Sequence, residues 1–173
     1  MDKMDISWEE FKNLSADLAR TISLSGFKPD YIVGINRGGI ILSAMLSHYF
    51  DTPHYTLTVR LRSNPIDVDH NAWMPEDAYG DPLSQEPTGQ KILIVDDIND
   101  SGATFEWIKK DWSGEIEEDK DLFWEKIWHN NVKFAVLIDN EASTQNVDFR
   151  AKAINKAEKD VWVDFPWETW WTK

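Results

Sequence analysis

The sequence predicts an α/β fold: a mainly parallel, twisted sheet flanked by helices. Three observations carry this. Short β-branched runs alternate with stretches of helical period. The runs at 31–35, 91–95 and 132–138 are apolar almost throughout, as strands covered on both faces are. An aromatic, proline-containing segment then closes the chain. Over 173 residues this is one domain, 1–173.

The elements follow in order. Trp8, Phe11, Leu14, Leu18 and Ile22 recur at spacings of three and four, so 7–24 reads as an amphipathic helix; Ser7 with Glu10 makes its capping start, and Gly26 and Pro29 end it. Residues 31–35 are a buried strand. Gly38-Gly39 opens a second helix over about 40–50, and 55–61 alternates as a strand. Between 63 and 90 the character changes: four of seven prolines, six acids, and no Lys or Arg. A stretch this long without periodicity reads as an excursion from the sheet, a flexible loop. KILIV at 91–95 is the clearest buried strand, and a helix follows over about 103–110. Residues 111–121 hold six acids and Gly114, which reads as a solvated surface connection. A helix over 122–128, a strand over 132–138 and a last strand over 162–165 complete the list.

Composition narrows the function. Lys and Arg number 18 against 31 Asp and Glu, a formal charge of −13, which argues against binding nucleic acid. The absence of cysteine removes thiolate metal sites and cysteine nucleophiles and fits a cytoplasmic protein. No apolar run is long enough to cross a membrane, and Met1-Asp2-Lys3-Met4-Asp5 is no signal peptide. The four histidines are scattered and suggest no metal site.

Two strand ends carry the chemistry, since ligands of parallel sheets bind beyond the carboxyl ends of strands. After Val95 comes Asp96-Asp97-Ile98-Asn99-Asp100-Ser101-Gly102-Ala103-Thr104. Gly102 lets backbone approach a ligand closely. Ser101 and Thr104 offer hydroxyls, and backbone N–H groups at a helix start suit a phosphate dianion. Asp96 and Asp97 project where they can reach sugar hydroxyls or a hydrated Mg²⁺, and Asp100 is close enough to act as acid or base. The plain alternative is a helix cap and a turn. Asp96-Asp97-x-x-Asp100 also spells a diphosphate–magnesium motif of prenyl-transferring enzymes, but those acids need a helix, and KILIV before them argues for strand and loop.

This stretch resembles the signature of type I phosphoribosyltransferases: an apolar strand, two acids, then a D-[ST]-G-x-T loop. The resemblance implies that Asp100, Ser101, Gly102, Ala103 and Thr104 hold the 5′-phosphate of phosphoribosyl pyrophosphate (PRPP). It implies that Asp96 and Asp97 lie by the ribose hydroxyls, with Mg²⁺ as cofactor, and that Asp100 is the general base toward a purine. Asn36-Arg37-Gly38-Gly39 is similar to the family's pyrophosphate loop, with Asn36 departing at its first position; alone, such a sequence is an ordinary tight turn. Arg60 and Arg62 end the second strand, and Arg60 corresponds to a pyrophosphate contact, the alternative being solvent exposure. Residues 63–90 correspond to a loop that closes over the site, with Trp73, Met74 and Tyr79 as closing contacts or as core.

The ending Asp160-Val161-Trp162-Val163-Asp164-Phe165-Pro166-Trp167-Glu168 resembles that of xanthine–guanine phosphoribosyltransferases. It implies a small hood from the C-terminal segment, about 140–173, in which Trp162 stacks on the base, with Val163 giving backbone contacts, Ile98 lining the base pocket and Trp167 pinning the hood. Core packing is the reading for Trp8, Trp107, Trp124 and Trp128. Where relatives place a base-reading lysine, this chain has Asn140. The implied partners are PRPP and a nucleobase, with a homo-oligomer, dimer or tetramer, as the assembly. The alternative function is a catalytically silent PRPP-binding regulatory module.

Overall fold

The structure, a computed structural model, describes residues 2–59, 61, 73–115 and 121–172. In chain order the elements are β1 (Asp2–Asp5), α1 (Trp8–Leu24), β2 (Tyr31–Asn36), α2 (Gly39–Phe50), β3 (His54–Thr58), α3 (Trp73–Tyr79), β4 (Ile92–Asn99), α4 (Ala103–Glu115), α5 (Asp121–Ile127), β5 (Val132–Asn140), β6 (Phe149–Ile154) and β7 (Val161–Asp164).

Five strands form one all-parallel sheet in the order β3-β2-β4-β5-β6. Its strand period of two divides the apolar side chains between two cores. Ile32, Leu93, Val95, Ala135 and Leu137 face one side, against Phe11, Leu18 and Ile22 of α1 and Leu42 and Leu46 of α2. Val33, Ile35, Ile92, Ile94, Phe134 and Val136 face the other, against α3, α4 and α5. From β2 the chain steps outward to β3, then returns to the other side of β2 as β4. The helices that follow β2 and β4, α2 and α4, therefore lie on opposite faces, and the two strand ends flank a crevice where the order reverses.

Local chemistry explains the element ends. Ser7 caps α1 through its Oγ, which accepts the Glu10 N–H at 3.0 Å. The Glu10 carboxylate does not fold back on the cap but takes Lys152 of β6 at 3.2 Å. Gly26, at φ +77°, turns the chain after α1.

Three elements were not expected. β1 is DKMD, with no strand signal of its own; it exists because it pairs in parallel with β7, from Asp2 opposite Val161 to Asp5 opposite Asp164. The hood is thus made from both ends of the chain. β6 (FRAKAI) is an edge strand whose basic residues reach carboxylates of neighbouring elements. α3 sits within the proline- and acid-rich stretch because Met74, Ala78 and Tyr79 bury against the second core.

Several boundaries move. The strand expected over 55–61 ends at Thr58. The connection expected over 111–121 is helical as far as Glu115, and Trp112 within it is 1% exposed. Its ring lies 5.8 Å from that of Trp128, which stacks at 5.0 Å on Trp124. Glu106 lies on the solvent side of α4, while one tryptophan anchors it. Trp124 is core as expected, whereas Trp8, first in α1, is half-exposed and lies 6.3 Å from Trp167.

Candidate functional site

β4 runs on to Asn99, so Asp96 and Asp97 belong to the strand itself rather than to the turn after it. Asp96 is buried. Its Oδ1 accepts the N–H of Asp97 at 2.9 Å, and Asp97 Oδ1 accepts the N–H of Ile98 at 2.8 Å. Burial and the neighbouring Asp97 charge push the Asp96 carboxyl well above the usual carboxylate range. Burial also raises Asp97, opposed by its hydrogen bonds and reinforced by the charge of Glu168. The C-terminal segment thus brings one more negative charge toward the acid pair.

The turn that follows is built for close approach. Gly102 stands at φ +90°, and a Cβ there would lie 2.6 Å from Thr144 Oγ1 and 2.8 Å from both Gln145 N and Ser143 Oγ. α4 starts at Ala103, with Glu106 donating to the Gly102 carbonyl at 3.0 Å. The Ser101 hydroxyl faces the Ala103 N–H at 3.3 Å. Asp100 and Ser101 are exposed and Thr104 half-buried, so the mouth of the turn is open to a ligand.

Residues 141–145 buttress this turn from behind, a role the sequence did not suggest. Asn99 is the hub: its Nδ2 donates to Asp139 Oδ1 at 2.9 Å and to the Gln145 carbonyl at 2.8 Å, and its Oδ1 accepts from Ser143 Oγ at 2.9 Å. Thr144 donates twice to the Ser101 carbonyl, from its N–H at 3.2 Å and its hydroxyl at 2.9 Å. Asp139 is held in turn by Arg150 at 2.9 Å. Asn99 and Asp139 are buried, and their hydrogen bonds fix 141–145 against the turn.

The second loop follows β2. The Asn36–Arg37 peptide is cis, Asn36 Nδ2 donates to Thr58 Oγ1 at 2.7 Å across the sheet, and Arg37 is exposed. Gly38 and Gly39 have a packing reason. A Cβ on Gly38 would strike the Asp97 carboxylate, and one on Gly39 would strike the Val95 carbonyl oxygen. The two loops therefore meet, glycine against acid, at the crevice.

The remaining residues fall on the hood side. Ile98 is half-buried beside the first core. Trp162 stands outward on β7, half-exposed, its indole N–H on Asp164 Oδ1 at 2.7 Å, while Val163 points into the core. Trp167 stacks on Phe165 at 4.8 Å and meets Phe11 edge-on at 5.0 Å, which ties the hood to α1. Asn140 is buried at the end of β5 with its amide turned to backbone. Nδ2 donates to the Asp100 carbonyl at 2.9 Å, and Oδ1 accepts the N–H groups of Lys156 at 3.0 Å and Ala142 at 3.2 Å. Lys156 was not foreseen; its ammonium reaches Asp100 Oδ1 at 2.9 Å. Trp73, Met74 and Tyr79 belong to α3 and pack rather than reach the crevice: Met74 and Tyr79 are buried, and Trp73 meets Tyr55 and Tyr31 at 4.9 and 5.7 Å. Arg60, Arg62 and 63–72 of the expected loop lie outside the described residues.

The geometry offers one pocket edge with backbone donors and a helix start, one with a guanidinium and glycines, and two buried acids between them. The chain is similar to known proteins. The chain is 27% identical to the xanthine-guanine phosphoribosyltransferase of Cereibacter sphaeroides, covering 94% of this chain and 85% of that protein. It is 25% identical to the hypoxanthine-guanine phosphoribosyltransferase of Saccharomyces cerevisiae, covering 97% and 86%. Its fold superposes on the purine phosphoribosyltransferase of Pyrococcus horikoshii with a TM-score of 0.66 at 23% identity, over 96% of this chain and 95% of that one. The family model described as the phosphoribosyl transferase domain matches residues 7–171, and the chain belongs to that family.

Proposed function

We propose that this chain transfers the 5-phosphoribosyl group of PRPP to a purine base and releases pyrophosphate. The observation that carries the reading is the meeting of the two loops at the sheet's reversal point, with Gly38 packed on Asp97 and the Gly102 turn opening α4. The turn at Asp100, Ser101, Gly102, Ala103 and Thr104 is the seat of the 5′-phosphate, and Asn36, Arg37, Gly38 and Gly39 are the seat of the pyrophosphate. Asp96 and Asp97 face the ribose.

The chemistry is a displacement at C1′. The bond from C1′ to the pyrophosphate oxygen breaks, the bond from a ring nitrogen of the base to C1′ forms, and the base's N–H proton passes to Asp100. Oxocarbenium character at C1′ favours a site that excludes water. Arg37 and the backbone donors orient PRPP with its anionic ends neutralised on both sides.

The acids present suit Mg²⁺ only in company. Among the described residues no group of three or more acids or histidines converges on one point. A hydrated Mg²⁺ held mainly by PRPP oxygens, with Asp96 and Asp97 alongside, fits that donor set. Bound there it would stabilise the pyrophosphate leaving group.

Among the described residues, no helix is long and apolar enough to cross a membrane. The cysteine-free composition agrees with a cytoplasmic setting. Exposed Met45, Tyr49 and Tyr55 along α2 and β3 agree with a homo-oligomer, dimer or tetramer.

The test is pyrophosphate release from PRPP and Mg²⁺ with guanine, xanthine, hypoxanthine, adenine, uracil and orotate. Release with a purine is the expected result. PRPP binding without release on any base would replace the reading by a catalytically silent regulatory module.

A further inference from the structure

We propose that Lys156, carried on the turn between β6 and β7, is the residue that selects a 6-oxopurine over an aminopurine, and that Asn140 positions it. This rests on the phosphoribosyl-transfer reading and deepens it.

Asn140 has little to offer a ligand. It is 6% exposed, and both ends of its amide are engaged by backbone. What that amide does is join two segments. Its Nδ2 holds the carbonyl of Asp100 while its Oδ1 holds the N–H of Lys156, so one side chain sets both residues in register. Lys156 then reaches back to the Asp100 carboxylate at 2.9 Å with its side chain only 18% exposed. A lysine that keeps its head in a crevice rather than in water is held for a purpose or by a partner, and this partner is the proposed base.

The pair presents a carboxylate acceptor beside an ammonium donor. One oxygen of Asp100 takes Lys156, which leaves Oδ2 for the base's N–H. One N–H of Lys156 goes to Asp100, which leaves two. The five-membered-ring edge of a 6-oxopurine offers N7 and O6 side by side, whereas adenine offers N7 and an amino donor. An N7–H tautomer of an oxopurine gives its proton to Asp100 and receives Lys156 on O6. Adenine would set its amino donors against the ammonium, donor against donor.

The experiment compares the full-length wild type with Lys156→Met and Lys156→Arg. Lys156→Met should raise the KM for hypoxanthine or guanine about 10–100-fold, the worth of a hydrogen bond to a charged group, with the KM for PRPP within about twofold. Relative use of adenine should rise. Lys156→Arg should restore part of the oxopurine affinity. Asn140→Ala should move the base KM in the same direction. An unchanged base KM in Lys156→Met, or an equal loss for PRPP and base, would overturn the assignment.

If the wild type turns over no base, the transfer reading fails. The lysine is then judged by calorimetric binding of IMP against ribose 5-phosphate. A loss in Lys156→Met confined to IMP sustains it, and equal affinities overturn it.

Discussion

At the scale of single residues, Asp96 is a carboxyl buried at a cost in stability. Burial and its neighbour's charge raise its carboxyl above the usual range, so the folded chain keeps a proton where the unfolded chain has lost it. The folded state then binds more protons, and stability falls as pH rises from the ordinary carboxylate range toward the folded value. Asp96→Asn keeps an oxygen for the Asp97 N–H and removes the charge. Its thermal midpoint should exceed the wild type's by a few degrees at neutral pH, with the gap closing as pH falls to about 4. Its turnover should be lost. A variant less stable than wild type at neutral pH would show that the charge is compensated.

Residue placements were unevenly legible. The turn at Asp100 and Gly102 stood out because small, hydroxyl-bearing residues follow an apolar strand there. Lys156 did not, because nothing in Asn155-Lys156-Ala157 marks a lysine whose partner lies more than fifty positions away. Asn140 was read as facing the base because its position was visible and its hydrogen bonds were not.

At the scale of elements, the apolar runs and the periodic helices were readable because burial imposes period two or 3.6 on the sequence. β1 was not, since its strand state comes from β7 and not from DKMD. α4 was cut short because six acids between 111 and 121 outweighed one tryptophan in the count. The structure reverses that weighting. Trp112 joins Trp128 and Trp124 in a ladder of rings that holds α4 and α5 to the second core. Trp112→Ala should cost about 3–5 kcal/mol in urea unfolding, and Trp107→Ala, on the more exposed side of the same helix, clearly less. Equal costs would mean that α4 is held by something other than its buried ring. Because α4 opens at the Gly102 turn, its anchoring also steadies that turn.

At the scale of the molecule, a chain of net charge −13 is proposed to bind a polyanion. The resolution is local: backbone donors, a helix start and Arg37 lie at the sheet's reversal point, while most of the acids lie elsewhere. The fold class and the crevice could be read from the order of elements, since a parallel sheet with one reversal has its mouth at one place. The joining of both chain ends in the hood could not, because strand pairing between residues 2–5 and 161–164 leaves no local trace.

The glycines of the first loop sit against different kinds of neighbour, and this predicts different patterns of epistasis. Gly38 is confined by a side chain, Asp97, and Gly39 by backbone, the Val95 carbonyl. In a library varying both loops, tolerance at 38 should depend on the identity of residue 97. Gly38→Ala should unfold at lower temperature than wild type, and adding Asp97→Ser should recover most of that loss in stability though not in turnover. Gly39→Ala should find no such suppressor among side-chain changes in β4. Strictly additive stabilities for the 38/97 pair would mean that the two loops do not share this contact. Otherwise the first loop can explore new sequences at position 38 only in step with the second, while position 39 stays closed to both.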